Sequence, residues 1–283
     1  MGLLDGKVAV ITGAGGGLGE AYAKLFAREG AAVVVNDLGG ARDGSGTDKS
    51  MAEKVVRSIK NEGGKAIANG SDISTTDGGE SLLRDAIRSF GRVDILVNNA
   101  GILRDKTFTK SNVEDWDKVI QVHLRGTYCA TLPVFRWMRD NGGGVIVNTS
   151  SVSGLKGNFG QSNYGAAKAG VWGLSNVLAI EGRKYNIRIW TLCPSARTRM
   201  TIGAGFDDDL LPSDEIASAV LYMVSDLSGT QTGKVLGVTA LRGVHEMRMI
   251  EAKGWKPTHA GWTAHDILEH AREIFLSDED NRT

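Results

Sequence analysis

Short apolar runs rich in Val, Ile and Ala recur along the chain, and between them lie stretches whose apolar residues return every three or four positions. Lys7–Thr12, Ala32–Asn36, Lys65–Asn69, Val93–Asn98, Val145–Ser150, Ile187–Cys193 and Lys234–Thr239 read as strands. Gly17–Glu29, with Ala21, Leu25 and Phe26 on one face, reads as a helix, as do Ala52–Asn61 and Ser213–Val224. The strand runs are continuously apolar rather than alternating, as expected of strands buried on both faces in a parallel sheet. Strands alternating with helices then predict a single-domain, Rossmann-type α/β fold: a doubly wound, parallel, seven-stranded sheet with helices on both faces. No linker, repeat or low-complexity tract divides residues 1–283. Residues 244–283 read as a C-terminal extension packing on the body or on a neighbouring subunit. It carries Trp255, Trp262 and Phe275 as anchors and a last helix at Ala264–Leu276.

Composition narrows the partners. With 33 basic and 33 acidic side chains the net charge is zero, which excludes nucleic acid as the main partner and leaves a small-molecule substrate. Cys129 and Cys193 fit no disulfide framework or zinc pattern and read as reduced core thiols. The histidines 123, 245, 259, 265 and 270 form no ligand pattern, so no metal is expected. No apolar run is long enough for a membrane span. Met1–Lys7 is too short and polar for a signal peptide, and the chain ends in Asn281-Arg282-Thr283 rather than a peroxisomal address. A cytoplasmic protein is expected.

Glycine, at 38 residues, is in excess, and one cluster has a chemical meaning. Gly13-Ala14-Gly15-Gly16-Gly17-Leu18-Gly19 joins the first strand to the first helix, a turn whose backbone amides can approach a pyrophosphate at the helix N-terminus. Asp37 ends the second strand, where a carboxylate accepts from a ribose 2′-OH and repels a 2′-phosphate. NAD is therefore expected over NADP, with Arg42 and Lys49 as the residues that could reverse this. The glycines between Gly39 and Gly46, in the polar loop Asp37–Lys49, have no role that the sequence assigns.

Tyr164 and Lys168 stand four apart, on one face of a helix. An ammonium near a phenol favours phenolate, which can take a proton from an alcohol as hydride leaves it. Ser151 ends the preceding strand, where ligands of such sheets bind.

Thr12–Gly19, Asn98-Asn99-Ala100-Gly101, Ser151 and Tyr164-x-x-x-Lys168, in this order and spacing, resemble the short-chain dehydrogenase/reductase family over about residues 5–240. The resemblance implies that Tyr164 is the acid/base, that Ser151 orients the substrate oxygen, and that Lys168 holds the nicotinamide ribose and lowers the Tyr164 pKa. It implies a cofactor set of Gly13, Gly17, Leu18, Gly19, Asp37, Asp72, Ile73, Asn98, Ala100, Gly101, Tyr164, Lys168, Pro194, Ala196 and Thr198. Asp72 would face adenine and Asn98 would support the cofactor-side backbone. Two phrases depart from the family. His123, in Val122-His123-Leu124-Arg125-Gly126, replaces an Asn that holds a relay water; it reads either as a core histidine or as a relay group. Pro194-Ser195-Ala196-Arg197-Thr198 replaces Pro-Gly followed by Thr.

Both departures, with Asn158-Phe159-Gly160-Gln161 and Glu181-Gly182-Arg183, resemble a narrower group. It is the (3R)-hydroxyacyl-CoA dehydrogenase region of peroxisomal multifunctional enzymes of type 2 and their bacterial stand-alone relatives. The implied reaction is NAD-dependent interconversion of a secondary alcohol and a ketone, on a 3-hydroxyacyl-CoA, steroid-derived or not, or a hydroxysteroid. The alternatives are an NADPH-dependent 3-oxoacyl-[acyl-carrier-protein] reductase and an inactive nucleotide-sensing protein. The resemblance also implies a homodimer or homotetramer.

Overall fold

A computed structural model describes residues 2–196, 210–257 and 261–276. The seven strands expected are present: β1 (Val8–Thr12), β2 (Ala32–Asn36), β3 (Lys65–Asn69), β4 (Ile95–Asn98), β5 (Gly144–Thr149), β6 (Ile187–Pro194) and β7 (Lys234–Thr239). An eighth, β8 (Gly243–Met247), joins the edge, giving the order β3-β2-β1-β4-β5-β6-β7-β8. All pairings from β3 through β7 are parallel. β8 escapes the sequence reading because its sequence, Gly-Val-His-Glu-Met, contains no apolar run; its residues are half-buried or exposed.

The helices are α1 (Gly17–Arg28), α2 (Ser50–Asn61), α3 (Thr76–Phe90), α4 (Val113–Ile120), α5 (Gly126–Asp140), α6 (Val152–Leu155), α7 (Ser162–Gly182) and α8 (Ser213–Val224). Strand alternation sends side chains to opposite faces. Ala9, Ile11, Val33, Val35, Val97 and Val147 pack with α1, α2 and α8, including Phe26, Ile59 and Val220. Val8, Val10, Val34, Leu96 and Ile146 pack with α3 and α5, including Leu82, Val134 and Met138. The central strands β1, β2 and β4 are thus covered twice, which is why their sequences do not alternate.

Strand order reverses between β1 and β4, so a crevice opens at the carboxyl ends of the strands there.

The chain divides into two compact units, Met1–Glu246 and Met247–Thr283. In the second, the helix expected at Ala264–Leu276 is split into α9 (Ala264–Glu269) and α10 (Ala271–Ile274). It breaks at His270, whose ring stacks on Trp255 at 4.0 Å. Trp262 and Phe275 are exposed.

Candidate active site

A cavity of about 540 Å³ occupies the crevice. Its floor begins where β1 ends. The Thr12 hydroxyl accepts from the backbone amides of Asn99 (3.0 Å) and Ala100 (3.1 Å), joining the glycine turn to the segment after β4. Gly13 has φ +63°, and a Cβ there would lie 2.7 Å from the Ala100 Cα, so only glycine permits this approach. No side chain caps α1 at Gly16, which leaves the first amides of the helix open to an anion. Asp37, just past β2, accepts from Gly15 N at 2.8 Å and Gly39 N at 2.7 Å.

The glycines of the 39–46 loop now have a place. The tip of the loop docks on the segment after β4: Leu103 N donates to Arg42 O (2.9 Å) and Arg104 Nε to Asp43 O (2.8 Å). Gly39, Gly44 and Gly46 all have positive φ, and Leu38, Gly40 and Arg42 line the cavity.

At the other end stand Ser151, Tyr164 and Lys168. Ser151 caps α6, its Oγ accepting from Ser153 N at 3.1 Å, and it hydrogen-bonds Tyr164. Lys168 is buried, its Nζ donating to Thr149 O at 2.6 Å and lying 5.5 Å from the Tyr164 ring centroid. The expected lowering of the Tyr164 pKa is not seen. Burial pushes the phenol up to about 12 against the pull of the Ser151 hydrogen bond, and burial holds Lys168 down to about 8. For both groups desolvation is the largest cause of the shift.

His123 lies in a π-helical turn, Gln121–Arg125, between α4 and α5. The extra residue per turn aims its ring into the cavity. Nε2 lies 2.8 Å from Ile102 O and 3.1 Å from Ile102 N, so one tautomer donates to the carbonyl and the other accepts from the amide. Nδ1 is buried without a partner among the described residues. Burial and the nearby Lys168 charge push its pKa down to about 3, so the ring is neutral at physiological pH.

Of the residues expected from sequence, Gly13, Gly17, Leu18, Asp37, Asp72, Ile73, Ala100, Gly101, His123, Ser151, Tyr164, Lys168, Pro194 and Ala196 line this one cavity. Gly19 and Asn98 are not among its lining residues. Gly19 lets α1 approach the turn, a Cβ there falling 2.3 Å from Gly13 O. The Asn98 amide turns inward and donates to Thr131 Oγ1 and Asn148 Oδ1, both at 2.8 Å, so it braces the sheet rather than the ligand side. Thr198 lies outside the described residues. Cys129 and Cys193 are free and buried, and burial pushes the Cys193 thiol up to about 12.

The cavity is also lined by residues to which the sequence reading gave no individual role, among them Asn99, Asp105 and Gln161. Asn99 Nδ2 donates to Thr12 O (3.0 Å) and Gly13 O (3.1 Å), holding the glycine turn. Its neighbour in Asn98-Asn99-Ala100-Gly101 was the one assigned to the cofactor, and the alternation of the strand end decides between them.

Residues 7–205 match the protein-family model described as short chain dehydrogenase. The chain belongs to this family. Short-chain dehydrogenases are oxidoreductases acting on CH–OH groups, and the site has the parts such chemistry needs. Over 221 residues the chain is 51% identical to the peroxisomal multifunctional enzyme type 2 of Mus musculus, a match covering 77% of this chain and 30% of the mouse protein. The chain thus corresponds to less than a third of that enzyme's length. It is 39% identical over 289 residues to the hydroxyacyl-CoA dehydrogenase ChsB1 of Mycobacterium tuberculosis, covering 94% of this chain and 89% of that one. Among solved structures, a short chain dehydrogenase from Mycobacterium avium superposes with a TM-score of 0.85 at 35% identity, covering 96% and 95% of the two chains. Among the described residues, no helix of this short-chain dehydrogenase is long and apolar enough to cross a membrane.

Proposed function

We propose that this short-chain dehydrogenase interconverts a 3-hydroxyacyl-CoA, or a hydroxysteroid-like secondary alcohol, and the corresponding ketone, with NAD as its coenzyme. The observation that carries the reading is one continuous cavity with Asp37 and the glycine turn at one end and Ser151, Tyr164 and Lys168 at the other. The likeness to a hydroxyacyl-CoA dehydrogenase supports the acyl substrate.

The residues present fit a dinucleotide. The uncapped α1 N-terminus and Gly13–Leu18 would receive a pyrophosphate, Asp37 a ribose 2′-OH, and Asp72 and Ile73 the adenine side. Ala100, Gly101, Tyr164, Lys168, Pro194, Ala196 and Thr198 are assigned to the nicotinamide half; behind the lining, Gly19 lets α1 approach the turn and Asn98 braces the sheet. When bound, the nicotinamide accepts or supplies the hydride. Asp37 opposes NADP, because a 2′-phosphate would meet its carboxylate.

Ser151, steadied by Ser153 N, holds the substrate oxygen. Tyr164 moves the proton. With its pKa near 12 the resting phenol is protonated, set to donate to a ketone; oxidation draws on the phenolate, which a nearby ammonium such as that of Lys168, 5.5 Å from the ring centroid, favours. His123 serves this site as a neutral ring. Exposed Tyr128 on α5 and Val177 and Ile180 on α7 support a homodimer or homotetramer through these helices.

The test is NADH formation with 3-hydroxyacyl-CoA thioesters of increasing chain length beside free hydroxysteroids. Tyr164→Phe should cut turnover by about two orders of magnitude or more while NADH binding, followed by fluorescence, is retained. Ordinary turnover by this variant would refute the mechanism, and a strong NADP preference the coenzyme.

A further inference from the structure

Asp105 lies on the segment after β4 and lines the same cavity as Ser151, Ser153 and Tyr164. It is exposed, yet its carboxylate is held from one side. Gln161 Nε2 donates to Oδ2 at 2.9 Å. Gln161 is itself fixed, its Oε1 accepting from Ser153 Oγ at 2.7 Å and from Asn158 Nδ2 at 3.2 Å. The backbone is stitched beside it: Lys106 N donates to Gly160 O at 2.9 Å, and Asn163 Nδ2 to Arg104 O at 3.1 Å. Ser151, Ser153, Gln161 and Asp105 thus form one polar row leading away from the reacting groups.

Asp105 Oδ1 has no hydrogen-bond partner among the described residues. The adjacent cations are committed elsewhere, Arg104 (3.1 Å) and Lys106 (2.6 Å) both pairing with Asp115. Arg42 and Lys118 line the cavity but form no ion pair with Asp105 among the described residues. The charge is felt at the reacting end, where it raises the Tyr164 pKa. An ionised carboxylate is an acceptor only, so what it binds must bring a hydrogen.

Building on the alcohol-oxidising function proposed above, we propose that Asp105 is a specificity-determining residue. Its carboxylate receives an N–H or O–H carried by the substrate near the reacting carbinol, and it disfavours free hydroxy acids. A pantetheine-type thioester brings such a donor, the amide N–H a short way beyond the sulfur; a polyhydroxylated alcohol brings a second hydroxyl. A free 3-hydroxy acid brings a second negative charge instead, which the Asp105 carboxylate repels.

The test uses Asp105→Asn, which keeps an oxygen for Gln161 and removes the charge. The full chain and the variant are compared on matched alcohols: a 3-hydroxyacyl N-acetylcysteamine thioester against the donor-free ethyl thioester, a dihydroxy- against a monohydroxysteroid, and the free 3-hydroxy acid. In the parent protein kcat/KM should favour the donor-bearing member by about ten-fold or more, with the free acid lowest. In the variant the preference should shrink to about three-fold or less, and the free acid should gain, with NADH affinity unchanged. Equal preferences in the two proteins would overturn the assignment. Turnover of steroids but not thioesters would refute the acyl reading alone, since the ratio is read in whichever class reacts; turnover of none refutes both.

Discussion

The His123 imidazole stands edge-on to the Tyr164 ring, with 5.1 Å between centroids and 88° between planes. Behind it, a Cβ built on Gly101 would fall 2.3 Å from His123 Cε1. A glycine after β4, a histidine in a π-turn and the tyrosine of α7 therefore interlock, with no room for an added methyl group. Gly101→Ala should destabilise the fold by about 1–3 kcal/mol and reduce turnover, because the displaced ring presses on Tyr164. Shrinking the histidine in the same chain, as Gly101→Ala/His123→Ala, should recover part of the stability lost. Denaturant midpoints for the four proteins of this cycle test the coupling, and strictly additive effects would remove it.

His123 also predicts an acid sensitivity. Its folded-state pKa, about 3, is below the value of an unfolded histidine, so the unfolded chain binds the extra proton first. The contribution of the neutral buried ring is present above about pH 6.5 and is lost as pH falls toward 3, at up to ~1.4 kcal/mol per pH unit. His123→Gln has no such proton to bind. Urea midpoints between about pH 7 and about pH 5 should fall more steeply for the parent chain than for the variant. Parallel slopes would contradict the assigned neutral state.

The two directions of the reaction should respond oppositely to pH. Tyr164, near 12, gains phenolate as pH rises, so the rate of alcohol oxidation should climb from about pH 6 to about pH 9. Ketone reduction uses the protonated phenol, which is abundant throughout, and it should not rise over this range. Initial rates in both directions decide the point; oxidation that falls with pH would exclude Tyr164 as the base.

Asp37 should carry the coenzyme choice. Replacing it with Ser removes the charge that a 2′-phosphate would meet, along with an acceptor shared by Gly15 N and Gly39 N. The NAD to NADP ratio of kcat/KM should fall by about ten-fold or more, mainly through a rise in KM for NAD. An unchanged ratio would move the selectivity elsewhere, with Arg42 the first candidate.

Most of the fold was legible because β1, β2 and β4 are solid apolar runs whose burial on both faces leaves an unmistakable pattern. β8 was not, since an edge strand can be half polar. The last helix was read across His270 because its periodicity continues there, while the break depends on Trp255 stacking on His270. Within the site, Ser151, Tyr164 and Lys168 announced themselves by spacing. Asn99, Asp105 and Gln161 stood in recognisable phrases, but their individual contacts did not follow from them, because those contacts arise from segments that only the fold brings together. The direction of the Tyr164 shift was misjudged for a similar reason. Spacing puts the ammonium near the phenol but says nothing about how much water both lose.

Thr12 Oγ1 receives the amides of Asn99 and Ala100, on the segment after β4, while its own residue begins the phosphate turn. The relative position of the two ends of the cleft is therefore registered at one joint, the Thr12 hydroxyl together with the Thr12 and Gly13 carbonyls that receive Asn99 Nδ2. Any tolerance in that joint is transmitted along the length of a bound dinucleotide, so the accuracy with which hydride meets carbon is set as much at the end of β1 as at Tyr164.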